Sequence, residues 1–315
     1  MSVIVLGSIN TDFVVKVNRL PIAGETIDGY DLLTAAGGKG ANQAVAAARL
    51  GAQTHMVGRV GRDRFGPELC DGLQSQGVQI AHVSVDERSP SGTAMIMVDR
   101  LGENQIAIVA GANGNVGQSD VENMIELLPY AKVLLMQLEI PLNTVELAGR
   151  LARANDIPVI LDPAPAPTDI PAWLFACIDI ITPNEIEASQ LLRFPVHDRE
   201  TAIEAALALV QMGAGTAIVK LGGQGAVCAT ADETFFMPAF PIRPVDMVAA
   251  GDAFNGAMAA AIAAGLTLKQ ALVWGAAAGA LCATKSGAQA AMPTLDELTS
   301  FLEQHRHIVP ENLSP

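Results

Sequence analysis

The sequence predicts an α/β fold: a three-layer sandwich with a mainly parallel central sheet and a small β-sheet lid projecting from it. Two observations carry this expectation. Short apolar runs rich in β-branched residues alternate with helix-period segments along most of the 315 residues, and such alternation places parallel strands under crossover helices. Two stretches, 12–34 and 93–109, break the rhythm with strand-like pieces and no helix between them. Such pieces do not fit as layers of a parallel core, so they are assigned to a separate sheet, a lid or a dimer contact.

Taken in order, residues 2–7 read as a strand, 41–50 as a helix, 54–60 as a strand and 65–76 as a helix. The pattern continues with strand-like 133–137, helical 142–155, strand-like 158–161, and strand-like 178–182 entering helical 184–192. Helical 199–212 precedes strand-like 216–221, and the KLGGQGA segment closes that strand and opens another. Residues 245–248 read as extended, leading into a helix at Asp252. The apolar run 253–283 is interrupted by Asn255, Lys269 and Gln270 and is mostly Ala and Gly, so two core helices divided near Gly265 account for it better than a membrane span. No repeat, linker or charge block marks a second domain; residues 1–304 are expected to form one unit and 305–315 a loose tail.

Composition narrows the function classes. With 50% hydrophobic and 17% charged residues the chain can bury one large core. A formal net charge of −14 argues against a general nucleic-acid or anionic-membrane surface. An anionic small ligand remains compatible, because backbone N–H groups, a metal ion or a few placed lysines supply local positive potential. Cys70, Cys177, Cys228 and Cys282 lie far apart and read as reduced thiols, and MSVIVLGSINTDF carries no basic leader, so a cytoplasmic protein is expected.

Nucleotide fingerprints of the commonest kinds are missing. GKGANQ has Gln43 where a dinucleotide fold needs its third glycine, and Lys39 lacks the upstream glycine of a P-loop. Other motifs carry more. Asn10 and Asp12 share one side of an extended segment at a strand end and could grip vicinal hydroxyls, or form a polar turn. AAGGKGAN lets a ligand approach the backbone ahead of Asn42, or is a glycine-rich turn. Glu139 lies beyond a strand end, where a solvated loop acid is also common. Asn184 and Glu187 sit at i and i+3 on a helix, a spacing suited to a nucleotide phosphate with hydrated Mg²⁺ or to capping. The glycines after Lys220 suit a tight turn or a loop under a nucleotide. Asp252 follows Ala249, Ala250 and Gly251 at a helix start: a helix cap, or a base beside an anion site made of backbone N–H groups.

In this order, GSINTD, GGKGANQAVAAARLGA, LLMQLE, DPAPAP, DIITPNEIEA, VDMVAAGDAFNGA and KSGAQAAMP resemble segments of the ribokinase branch of the PfkB sugar-kinase family, from about residue 3 to about residue 304. The first glycine-rich motif and AAGD are specific; NEIE and KLGGQG are shared across the family. The resemblance implies an α/β sandwich whose β-lid also makes a homodimer contact, and ATP-dependent phosphorylation of a sugar, D-ribose first. It implies that Asn10, Thr11, Asp12, Gly38, Lys39, Gly40, Ala41, Asn42 and Glu139 bind sugar hydroxyls. Asp252 would be the base and Ala249, Ala250 and Gly251 the anion hole. ATP would meet Asn184, Lys220, Leu221, Gly222, Gly223, Gln224, Gly225 and Gly251, with Glu187 positioning Mg²⁺. A K⁺ site would map to Asp246, the Val248 carbonyl, Cys282, Lys285, Gly287 and Ala291, ordering the anion-hole loop.

The chain departs from the family pattern at Met247, usually threonine, at Ala291, often serine, and at Gly275, where a polar residue often contacts adenine. None of these touches Asp252, Asn42 or Asp12. Another acceptor (deoxyribose, another pentose, a ketohexose or a nucleoside) and a non-catalytic sugar-binding regulator are the alternatives. A nucleoside would want an aromatic stacking partner, in a chain only 4% aromatic.

Overall fold

The computed structural model describes residues 2–167 and 171–313. The chain runs β1 (Ser2–Leu6), β2 (Asn10–Val17), β3 (Gly29–Gly37), α1 (Lys39–Arg49), β4 (Gln53–Gly61), α2 (Phe65–Ser75), β5 (Val78–Asp86), β6 (Gly92–Val98) and β7 (Asn104–Val109). A 3-10 turn at Gly111–Asn115 leads to α3 (Gln118–Met124), β8 (Ala131–Gln137), α4 (Leu142–Arg153), β9 (Val159–Asp162), α5 (Ala172–Phe175), β10 (Ile180–Ile181), α6 (Glu185–Leu192) and α7 (Arg199–Gln211). The last part holds β11 (Thr216–Lys220), β12 (Gly225–Thr230), β13 (Thr234–Pro238), α8 (Ala250–Ala263), α9 (Leu268–Ala283), α10 (Leu295–Gln304) and β14 (Glu311–Asn312).

Among the described residues ten strands form one sheet in the order β14-β13-β12-β11-β10-β9-β8-β1-β4-β5. It is parallel from β11 to β5 and antiparallel at the other edge. Strands buried on both faces explain runs such as SVIVL, fully buried from end to end. One face packs on α1, α2, α8, α9 and α10, the other on α3, α4, α6 and α7, giving the predicted sandwich. α8 is hydrophobic nearly all round because it is enclosed: eleven of its fourteen residues are buried, between α1 and α9.

The second sheet has the order β3-β2-β6-β7, formed by the two segments that broke the strand–helix rhythm. β2 starts at Asn10 rather than at residue 12, so the lid reaches back to the end of β1. On one lid face Asn10, Asp12 and Val14 share the register of Leu33, Ile96, Ile106 and Ile108.

Two expectations need correcting. Residues 245–248 form an irregular loop instead of an extended segment, with Val245 and Met247 exposed, because no strand among the described residues offers them a ladder. The tail is not loose throughout: Phe235 and Phe236 pair with Asn312 and Glu311, and the Leu313 N–H donates to the Thr234 carbonyl, covering the sheet edge. Residues 314 and 315 lie outside the described residues. The four cysteines form no disulfide, and no helix among the described residues is long and apolar enough to cross a membrane.

Candidate active site

β1, β8 and β9 end on one side of the sheet, and the chain's direction across the sheet reverses at β1, whose neighbours are β8 and β4. A crevice at such a switch point is where open α/β sheets hold ligands. Ser8 to Asp12 leave β1, Gln137 closes β8 ahead of Glu139, and Asp162 closes β9. The N-terminus of α1 crosses directly over the end of β1. A Cβ on Gly40 would fall 2.6 Å from the Ser8 nitrogen and 2.7 Å from the Gly7 carbonyl carbon, so only glycine permits this approach. The Ser8 hydroxyl donates to Glu139, and the Lys39 N–H donates to the same carboxylate oxygen at 3.2 Å. Glu139 is therefore tied into the strand ends and is not a free loop acid.

Asn10 and Asp12 face the same side of β2, as their spacing requires. Asn113, buried in the turn after the lid, donates through Nδ2 to Asn10 Oδ1 at 2.7 Å, while its Oδ1 accepts the Ile9 N–H at 2.9 Å. Asn10 is left with its amide N–H₂ to offer. Asp12 Oδ1 and Thr11 Oγ1 are buried without a partner. Burial, then the charges of Glu139 and Asp252, push the Asp12 carboxyl up to about 7.

Asp252 lies in the first turn of α8, but it does not cap the helix. The cap position is Ala249, held left-handed at φ 59°, a conformation costly for a residue with a Cβ. The Asp252 carboxylate instead accepts from Asn42 Nδ2 at 2.9 Å and from Gln43 Nε2 at 3.0 Å. Burial raises its pKa to about 6; Asp162 adds to the rise, while the Lys39 ammonium and the two amides oppose it. Lys39 is itself penalised by burial, but Asp252, Asp162, Glu139 and Glu187 more than offset this and hold it charged.

Beside Asp252 opens a cleft of about 420 Å³ lined by Lys39, Asp162, Asn184, Glu187, Lys220, Gly222, Gly223, Gly225 and the 249–252 turn. Its apolar lining comes from Phe240, Ile242, Met247, Ala276 and Ala280. Lys220 Nζ reaches Asp162 at 3.2 Å. Asn184 and Glu187 make a reciprocal capping box, 2.8 Å each way, so the capping geometry is present while both side chains also face the cleft. Burial and Asp162 push the Glu187 carboxyl up. Leu221 is buried and Gln224 donates to the His197 carbonyl, so neither lines the cleft. Gly275 is packed against the Phe254 ring instead.

Next to the turn, Asp246 accepts the N–H groups of Val248 and Gly287, both at 3.0 Å, binding the two loops together. The Cys282 thiol faces the Val248 carbonyl at 3.7 Å, Lys285 Nζ pairs with Glu297, and Ala291 is buried. Among the described residues no cluster of three or more His, Cys, Asp or Glu could hold a metal ion by side chains alone. Sequence reasoning missed Gln43, Gln137, Asp162 and Asn113. Asp162, Gln43 and Gln137 stand inside DPAPAP, GKGANQ and LLMQLE, which offered a signal; Asn113 offered none.

The pfkB family carbohydrate kinase model matches residues 1–295 of this chain. The chain is 38% identical to a ribokinase of Haemophilus influenzae, over 95% of this chain and 97% of the relative. It is 39% identical to a ribokinase of Bacillus subtilis, over 96% and 99%. A deoxyribokinase of Salmonella typhi is 33% identical, over 96% and 99%. The structure of Arabidopsis thaliana ribokinase complexed with ribose and ATP superposes with a TM-score of 0.87 at 34% identity, covering 96% of this chain and 98% of that one.

Proposed function

Since this chain belongs to the pfkB family of carbohydrate kinases, and so transfers phosphoryl groups to an alcohol, we propose that its reaction is D-ribose plus ATP giving D-ribose 5-phosphate and ADP. The observation that supports it most is Asp252: a buried carboxylate at a strained helix start, between the hydroxyl-binding set of β2 and the cleft lined by Lys220 and Gly222.

In this reading the sugar lies over Asn10, Asp12, Asn42 and Glu139. Asn10 donates from Nδ2; Asp12, Glu139 and the partnerless Asn42 Oδ1 accept from hydroxyls. Asp252 takes the proton of the terminal hydroxyl as its oxygen attacks the γ-phosphorus, and the bond to the ADP oxygen breaks. First-turn N–H groups of α8, which lack intrahelical partners, and the Lys39 ammonium face the charge spreading over the transferring group. The exposed lid covers the sugar and limits attack by water.

The cleft suits Mg²⁺ carried by the nucleotide: Glu187 and Asp162 crowd two carboxylates there, and a cation would relieve them. Glu187 would help hold it, and the ion would neutralise phosphate charge. The Asp246 carboxylate and the Val248 carbonyl would hold K⁺; the Cys282 thiol, which faces that carbonyl, would have to turn aside and leave the main-chain oxygen to serve, as would Lys285, whose side chain is paired with Glu297. We assign the protein to the cytoplasm and read it as a homodimer through the lid, where Leu33, Ile106 and Ile108 are exposed on one face. Light scattering should give twice the chain mass, and Ile106→Glu should halve it; a monomeric parent protein would exclude the dimer.

The identity of the acceptor is tested by ADP release over a panel of ribose, deoxyribose, other pentoses, ketohexoses and nucleosides, with and without K⁺. Ribose should give the highest kcat/KM and K⁺ should raise kcat. A strong preference for deoxyribose, the substrate named for the 33%-identical relative, would replace ribose. Sugar binding without ADP formation would point to a regulator.

A further inference from the structure

Gln43 is fully buried and takes no part in the roles assigned above. Its Nε2 lies 3.0 Å from Asp252 Oδ1 and 2.9 Å from Asp162 Oδ2, so both amide hydrogens are spent on carboxylates belonging to different halves of the site. Asp252 serves the sugar side, whereas Asp162 is paired with Lys220 in the nucleotide cleft. The orientation of the amide is fixed from behind: Gln137, also fully buried, donates Nε2 to Gln43 Oε1 at 2.7 Å. A flipped amide would set an oxygen against two carboxylates and an N–H₂ against the Gln137 N–H₂. Among the described residues Asn42 is the other side-chain donor to Asp252.

The geometry points to Gln43 as a positioning residue, latched by Gln137, that fixes the Asp252 carboxylate and ties it to the Asp162–Lys220 pair. This rests on the reading of Asp252 as the base. Donation to a carboxylate favours its ionised form. Removing Gln43 therefore leaves Asp252 facing Asn42, the Lys39 ammonium, and the carboxyls of Asp162 and Asp12, with the Cys282 thiol nearby and one donor fewer. The base becomes harder to ionise and freer to rotate.

The test compares Gln43→Met and Gln137→Met with the parent enzyme, recording kcat against pH at saturating ribose and ribose binding by calorimetry. Gln43→Met should lower kcat at pH 7 by about 10–100-fold and move the acid limb of kcat upward by about one pH unit, with ribose affinity held within about threefold. Gln137→Met should move the limb in the same direction by less. An acid limb that stays in place in both variants overturns the role, whatever happens to the size of kcat. If Gln43→Met does not fold, an unmoved limb in Gln137→Met has the same force. Near-normal turnover in Asp252→Asn would remove the base itself, a separate failure visible without any Gln43 variant.

Discussion

Asp252→Asn is expected to lower kcat by about 10²–10⁴-fold, the usual contribution of general base catalysis, while sugar binding changes by no more than a few-fold. The substitution is nearly isosteric, and the site can absorb it. A flip of the Asn42 amide lets the new N–H₂ donate to Asn42 Oδ1 and keeps the pair hydrogen-bonded, while Asn42 Nδ2 then faces the sugar as a donor, which a hydroxyl oxygen can accept in place of the bond it gave to Oδ1. The pH dependence carries the same assignment. Burial raises Asp252 to about 6, so the base is protonated below that value. The parent kcat should fall about tenfold per pH unit on the acid side of the value the base takes with sugar and nucleotide bound, and the variant should lack this limb. In kcat/KM the free enzyme contributes as well: Asp12, pushed up chiefly by burial to about 7, must ionise to accept two hydroxyl hydrogens, so this limb should begin higher and fall more steeply. Steady-state kinetics from pH 5 to 9, with calorimetry on the variant, measure all of this; turnover near the parent level in Asp252→Asn would rule out the base.

The elements that were legible in the sequence are those whose period is imposed locally. SVIVL, buried throughout, and the alternating pieces of the lid declare themselves because burial on two faces or one writes a distinct pattern. Asp252, Asn42 and the glycines at 38 and 40 were legible because backbone conformation and close approach limit which residue types can stand there. The roles of Gln43, Gln137 and Asn113 were not, even where a quoted motif contains the residue, because they lie in hydrogen bonds that span 209, 94 and 103 positions of sequence. An amide in a helix or at a strand end reads as ordinary until the opposite carboxylate is in place. Asn184 and Glu187 mark the boundary between the two cases. Their three-residue spacing predicts the capping box, and only the fold adds that the box opens onto the cleft. The cap and ligand readings of such a pair are thus compatible, whereas at Asp252 the structure excludes the cap.

Gly256 is the position where packing and chemistry meet most tightly, and its substitution should disturb both. A Cβ there would lie 2.5 Å from Ala46 Cβ, 2.6 Å from the Gln43 carbonyl oxygen and 3.0 Å from the Ala47 nitrogen. Two of these three atoms are backbone, so no side-chain rotation relieves the clash; α8 must move away from α1. Gly256→Ala should therefore destabilise the protein by about 1–3 kcal/mol despite alanine's better helix propensity, and Gly256→Val by more. The displacement also separates the two helices that carry Asp252 and its donors Asn42 and Gln43. Since a misplacement near 1 Å can cost about 10²-fold in rate, Gly256→Ala should lose turnover out of proportion to its unfolding, with the acid limb of kcat shifted upward as the two donors withdraw. Gly72→Ala in α2, where a Cβ meets nothing within 4 Å, is the control: it should melt at or slightly above the parent temperature with kcat unchanged. Thermal melts and kcat measured on both variants at a temperature where each is fully folded separate the two effects. A Gly256→Ala protein that melts and turns over like the parent would show that α8 and α1 have room between them, and that the alignment of Asp252 does not depend on their contact.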